Sequence, residues 1–291
     1  MMHSPKSAVK PSPKSSVTFD AIGTRWQIDC EDVHNRLPQI KAIIDSYDQA
    51  FSRFRPDSFI SKMSQRHGTF TMPEHGYELL SFYSQMHKAT GGLVTPLIGQ
   101  TLSDLGYDAK YSLVPNEDIS ITKQWGDVLS FNEAEISIEE PTLLDFGAAG
   151  KGQLVDLISD FLGATNQSYC VDAGGDIRLN QKLAIGLENP DNFDEVIGVA
   201  QLNRGSLCGS AGNRRNWGSY NHIINPVNSQ SPERIKATWV YTDTAMIADG
   251  LATCLFFSDP TELRNYFSFE FVILYSDNSA QVSDNFPGEL F

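Results

Sequence analysis

The segment Asp145-Phe146-Gly147-Ala148-Ala149-Gly150-Lys151-Gly152 constrains the fold more than any other stretch of this chain. Leu143-Leu144 leads into it, and residues 152–158 leave it with apolar positions at helical spacing. A strand ending in a carboxylate, a turn nearly bare of side chains and a helix N-terminus are expected in that order. Such a junction suits a phosphorylated ligand, because backbone N–H groups can approach an anion and the helix dipole favours negative charge there. Lys151 would add a point charge. A tight connection with small residues for close packing accounts for the same composition equally well, since glycine is also a default turn residue. Asp145-Phe146-Gly147 spells a protein-kinase tripeptide, but no Gly-rich loop or His-Arg-Asp precedes it, and the Walker spacing is absent.

An anionic ligand would need local help, because the 291-residue chain carries a net charge of −14. The same charge argues against a nucleic-acid partner, which requires clustered Lys and Arg to displace counterions. Four scattered cysteines show no metal spacing, and Cys170 and Cys254 sit in apolar runs as small core residues. A reducing compartment follows most simply. Residues 1–16 are rich in Ser, Pro and Lys and have no apolar h-region, so they read as a disordered tail. No linker divides residues 17–291, which read as one domain. The apolar run 251–257 is far too short to cross a membrane. With no signal peptide or lipoprotein signal visible, a cytoplasmic protein without a membrane anchor is expected.

Hydrophobic spacing predicts helices over 33–51, from 57–58 onward, over 77–90, 153–162 and 244–257, and near 261–266. Strands are predicted over 17–30 with an interruption at Gly23-Thr24, and over 128–131, 135–138 and 143–145. Further strands follow at 169–172, 176–179, 183–187, 196–202, 206–210, 238–241 and 269–275. Helices clustered early and strands clustered late indicate an α+β fold.

Three constellations could carry chemistry. Asp249 and Thr253 are four residues apart in an apolar helix, which puts a carboxylate and a hydroxyl on one face. Both are hard oxygen donors suited to Mg²⁺. An Asp paired with a core Arg, beside a Thr bonded to the preceding turn, would answer the same spacing. His222 opens the run Ile223-Ile224-Asn225-Pro226, where a neutral imidazole could take a proton from a hydroxyl or simply be structural. Asp172-Ala173-Gly174-Gly175-Asp176 joins two strands, and a turn is its simplest reading. Ser210-Ala211-Gly212-Asn213 is another small-residue loop, and Arg214-Arg215 after it could contact a ligand, with a solvated pair the simpler reading.

In order, these segments resemble the ApbE-type FAD:protein FMN transferase family. The family's D-L-G-G-x-A-K-G-x-x-x-D is similar to residues 145–156. Its G-G-D-I is similar to Gly174-Gly175-Asp176-Ile177, and its H-H-I-x-D/N-P to Asn221-His222-Ile223-Ile224-Asn225-Pro226. A-D-A-x-x-T resembles Ala248-Asp249-Gly250-Leu251-Ala252-Thr253. Upstream, Ile22-Gly23-Thr24 parallels M-G-T, and residues 51–58 parallel x-S-x-Y/F-x-P-x-S.

The resemblance implies an α+β fold, with helices packed on mainly antiparallel sheets and an FAD and metal cleft between two lobes. It implies a Mg²⁺-dependent enzyme that cuts the pyrophosphate of FAD. FMN would pass as a phosphoester to a Thr or Ser of an acceptor flavoprotein with a Ser/Thr-Gly-Ala-Thr-like site, releasing AMP. Carried over by position, the Ala148 carbonyl, Asp249 and Thr253 would hold the metal, with a further carbonyl from Ala252. Asp145 and Lys151 would contact FAD, and Ile22, Phe54, Leu93, Val94, Thr95 and Ile223 would line its pocket. His222 would be the base. The family's G-x-F-D-x-T departs here to Gly91-Gly92-Leu93-Val94-Thr95-Pro96, without its Asp. A Mg²⁺-dependent FAD pyrophosphatase and a non-catalytic FAD-binding protein are the alternatives.

Overall fold

The computed structural model describes residues 15–165, 167–213 and 215–291. Residues 1–14, most of the expected tail, lie outside the described residues, and Ser16 already opens the first strand. The interruption at Gly23-Thr24 is a hairpin. Ser16–Ala21 pairs antiparallel with Thr24–Cys30, and the two turn residues Ile22 and Gly23 have φ of 42° and 73°. Positive φ at both positions matches the twist of the flanking strands, at the cost of crowding the β-branched Ile22.

This hairpin forms one edge of an eight-stranded sheet. Next come Tyr169–Ala173, Asp176–Leu179, Gly205–Ala211, Ile235–Thr242, Glu270–Tyr275 and Ala280–Val282, every neighbour antiparallel. Period-two alternation sorts its side chains onto two cores. Trp26, Ile28, Val171, Val240 and Ile273 pack with the helices Val33–Phe51, Gly76–Ala89, Gly150–Gly163 and Ala245–Cys254. Ile177, Leu207, Trp239 and Val272 face the other way, onto a three-stranded sheet of Leu183–Asn189, Asn192–Leu202 and Gly288–Leu290. The expected mix of helices and antiparallel sheet is therefore the observed architecture. All four cysteines are buried, and among the described residues none is joined to another in a disulfide. Among the described residues, no helix is long and apolar enough to cross a membrane.

One expected strand is absent. Residues 143–145 run extended but join no sheet. Leu144 is fully buried, and the Asp145 N–H donates to the Pro96 carbonyl at 2.7 Å. The apolar pair is there because the segment threads beneath the turn Pro96–Ile98 and the helix Gly99–Asp104, neither of which periodicity revealed.

Two glycines draw three helices together. A Cβ on Gly152 would strike the Ala245 carbonyl and lie 2.8 Å from the Asp249 Cβ. A Cβ on Gly250 would reach Phe82 and Met86 at 2.5 and 2.6 Å. The helix Ala245–Cys254 thus sits against the start of Gly150–Gly163 on one side and against Gly76–Ala89 on the other. Asp156 fixes its direction, accepting from the N–H groups of Ala245 and Met246 at 2.8 Å each. Burial pushes the Asp156 carboxyl up to about 6, against the pull of Arg178 and the two N–H groups.

Candidate active site

Close helix packing sets the first contact of the site: the Gly152 N–H donates to Asp249 Oδ2 at 2.9 Å. Around it opens a cavity of about 370 Å³. The connection before Gly150–Gly163 supplies Asp145 and Ala148, the first turn of that helix supplies Lys151, and the helix Ala245–Cys254 supplies Asp249 and Thr253. Leu93, Val94 and Thr95 enter from the turn after Gly76–Ala89, Phe54 from the loop before Phe59–Met63, and His222 with Ile223 from beyond Tyr220–Asn221. Of the site residues expected from sequence, Ile22 and Ala252 are not on the lining. Ile22 packs against the main core, and its neighbours Gly23 and Thr24 face the cavity instead. The Ala252 carbonyl is also withdrawn, since it accepts from Thr238 Oγ1 at 2.7 Å.

The bare connection does not work as an N–H cradle. The Gly147 N–H donates to Asp145 Oδ1 at 2.7 Å and the Ala148 N–H to the Tyr83 hydroxyl at 3.0 Å. The N–H groups of Ala149 and Gly150 go to the Phe146 carbonyl, and that of Gly152 to Asp249. With these donors satisfied inside the protein, an anion here is left mainly to side chains or a metal.

The carboxylates of the cleft lie beside cations. Asp145 forms a buried ion pair with Arg53, which also donates to the Tyr107 carbonyl at 2.7 Å and lies 4.2 Å over the Phe54 ring. Lys151 pairs with the fully buried Asp176 and stands 3.8 Å from Asp249 Oδ1. Burial raises the Asp249 carboxyl above its ordinary value, while Lys151, the Gly152 N–H and Arg215 pull it down. His222 is held down at about 3, first by burial and then by the cations Arg215 and Lys151. Its imidazole is therefore neutral at physiological pH, and among the described residues its buried Nδ1 has no hydrogen-bond partner.

Asp249, Thr253 and the Ala148 carbonyl would offer a divalent cation such as Mg²⁺ the hard oxygen donors it takes. Among the described residues no three His, Cys, Asp or Glu side chains converge as a metal site. A hard ion bound through one carboxylate, one hydroxyl and one carbonyl, with ligand phosphate and water completing its shell, needs no such trio. Asp249, Thr253 and Ala148 all line the cavity, and a cation there would relieve the desolvated Asp249.

Comparison with known proteins meets this geometry. The sequence pattern of the ApbE family matches residues 22–271. The chain belongs to the ApbE family. Among ApbE relatives, the FAD:protein FMN transferase of Chlamydia muridarum is 28% identical over 236 residues, covering 75% of this chain and 74% of that protein. The protein of the same name from Chlamydia trachomatis is 22% identical over 233 residues, with the same coverage. The ApbE crystal structure from Thermotoga maritima shares the fold with a TM-score of 0.83 at 19% identity, covering 94% of this chain and 99% of its own. The flavin transferase ApbE of Vibrio cholerae gives a TM-score of 0.75 at 18% identity, over 94% and 98%.

Placed on the fold, the ApbE segments explain one another. Asp176 of Gly174-Gly175-Asp176-Ile177 is the counter-charge of Lys151, and Asp156 caps the helix that carries Asp249 and Thr253. Arg53, Tyr83, Tyr107 and Arg215 were not expected in the site. Arg53 carried one available signal, a guanidinium set between Phe51 and Phe54. Arg215 carried only its place after a small-residue loop, where a ligand contact competes with the commoner reading of a solvated surface pair.

Proposed function

We propose that this chain is a Mg²⁺-dependent FAD:protein FMN transferase, with residues 17–291 as one catalytic domain. The carrying observation is the convergence on one cavity of Ala148, Lys151, His222, Asp249 and Thr253, drawn from separate segments of the chain. The names of the curated relatives support the same reading.

Phe54 stacks on Tyr111 with centroids 5.3 Å apart and meets Tyr107 edge-on at 5.4 Å, giving an aromatic wall for the isoalloxazine ring. Leu93, Val94, Thr95 and Ile223 line the rest of the flavin pocket, with the Ile22 turn behind it. Asp145 acts through Arg53 and Gly147, keeping the connection in place beside the ligand. Ala148, Asp249 and Thr253 would hold Mg²⁺, which when bound stabilises negative charge on the phosphoryl oxygens. Lys151 holds positive charge beside them. His222, neutral and with a free ring nitrogen, takes the proton of an acceptor Ser or Thr hydroxyl as that oxygen bonds to the FMN-side phosphorus. The phosphorus–oxygen bond to AMP breaks, and AMP leaves with the electron pair. The acceptor is a flavoprotein carrying a Ser/Thr-Gly-Ala-Thr-like site.

The test is incubation with FAD, Mg²⁺ and a flavoprotein domain bearing such a site. Flavin that stays on the acceptor through denaturation is the expected result. Free FMN and AMP with an unmodified acceptor would assign hydrolysis instead, and unchanged FAD would overturn both.

A further inference from the structure

We propose that Arg215 is the side chain that binds the diphosphate of the dinucleotide, and so selects a pyrophosphate-bearing flavin over the bare flavin. The inference rests on the transferase reading and names a residue for the ligand's charge.

The argument begins with the other cations. Arg53 is spent on Asp145 and the Tyr107 carbonyl, and Lys151 on Asp176 with Asp249 beside it. Arg215 lines the same cavity, yet its side-chain partners are neutral. Nη1 donates to the Tyr107 hydroxyl at 2.7 Å and Nη2 to the Gly23 carbonyl at 3.4 Å. Among the described residues no carboxylate lies within ion-pairing distance of it. A guanidinium carries five N–H donors in a planar fork that matches phosphate oxygens, so these two bonds leave most of the fork available.

Position agrees with charge. The Arg215 carbonyl accepts the His222 N–H at 3.2 Å, which seats the arginine next to the proposed base. The two anchors lie 108 and 192 residues away in sequence, so folding fixes the guanidinium before any ligand arrives. Asp145, Asp176 and Asp249 are balanced by Arg53, Lys151 and Arg215, leaving the cleft's own charges neutral. A diphosphate then adds two negative charges that a bound divalent cation offsets, with Arg215 supplying the directed hydrogen bonds.

The competing role is a staple, in which Arg215 only ties the Gly23 turn to Tyr107. Flavin fluorescence titration of wild type, R215K and R215Q with FAD and with riboflavin, plus competition by ADP, separates the two. R215Q should weaken FAD and ADP by about 10- to 100-fold, the range for hydrogen bonds to charged groups, with R215K intermediate. Riboflavin, which has no phosphate, should bind all three proteins alike. R215Q that binds FAD like wild type, or that loses riboflavin as severely as FAD, overturns the inference. Wild-type protein that ignores FAD altogether overturns the transferase reading itself.

Discussion

Burial and the cations Arg215 and Lys151 push the His222 imidazole down to about 3. The sign has two consequences. An unfolded chain takes up a proton on this histidine near pH 6.5, whereas the native protein does not until far lower. The stability gained from keeping it neutral is full above pH 6.5 and is lost as pH falls from there toward 3. For the reaction, kcat/KM for FAD should show no inflection at the ordinary imidazole value. An acid limb centred near pH 6.5 that vanishes in His222→Ala would contradict this assignment. His222→Ala should slow transfer more than it weakens FAD binding, and equal loss of both would indicate a binding role. Asp249→Ala should remain folded by circular dichroism and lose metal-dependent turnover by roughly 100-fold or more, because removing a metal ligand forfeits several kcal/mol of charge stabilisation. Full activity in that variant would remove the metal assignment. Asp249, Thr253 and His222 were legible in sequence because polar groups stand out in apolar runs. The Arg53–Asp145 and Lys151–Asp176 pairs were not, since their partners lie 92 and 25 residues apart and meet only in the folded chain.

The helix Ala245–Cys254 and its seat on Gly150–Gly163 decide whether Asp249 reaches the cleft. Gly152→Ala tests that seat. The new Cβ meets the Ala245 backbone carbonyl, so the helices must part, and overpacking of this kind costs about 1–3 kcal/mol. Better helix propensity returns up to about 1 kcal/mol. A lower denaturation midpoint together with reduced FAD turnover is expected, because parting the helices also moves Asp249. A variant as stable and active as wild type would contradict the packing described. The long helices Val33–Phe51 and Gly150–Gly163 were readable from their periodic apolar faces. The extended segment 143–145 was misread because a short apolar run reports burial, and burial here is against a turn rather than within a sheet. The anion-cradle reading of residues 145–152 failed for a related reason. Bare backbone shows that something approaches closely, and here the approaching groups are Asp249, Tyr83 and the neighbouring helix.

Across the whole molecule, one large sheet separates the two larger apolar cores, with the helix that carries Asp249 on one side and the three-stranded sheet on the other. The α+β class was legible from the order of elements, but the covering three-stranded sheet was not, because its last strand, Gly288–Leu290, returns from the far end of the chain. A net charge of −14 surrounds a cleft whose own charges cancel, so the ligand's anionic part is met by local groups rather than by a favourable overall field. The most direct measurement is intact-mass analysis of an acceptor flavoprotein domain bearing a Ser/Thr-Gly-Ala-Thr-like site, after incubation with wild type or Asp249→Ala, FAD and Mg²⁺. The expected result is one phosphodiester-linked FMN per acceptor with wild type, AMP released in equal amount, and no adduct with the variant. An unmodified acceptor while FMN and AMP accumulate, or FAD left intact, would contradict the transferase assignment.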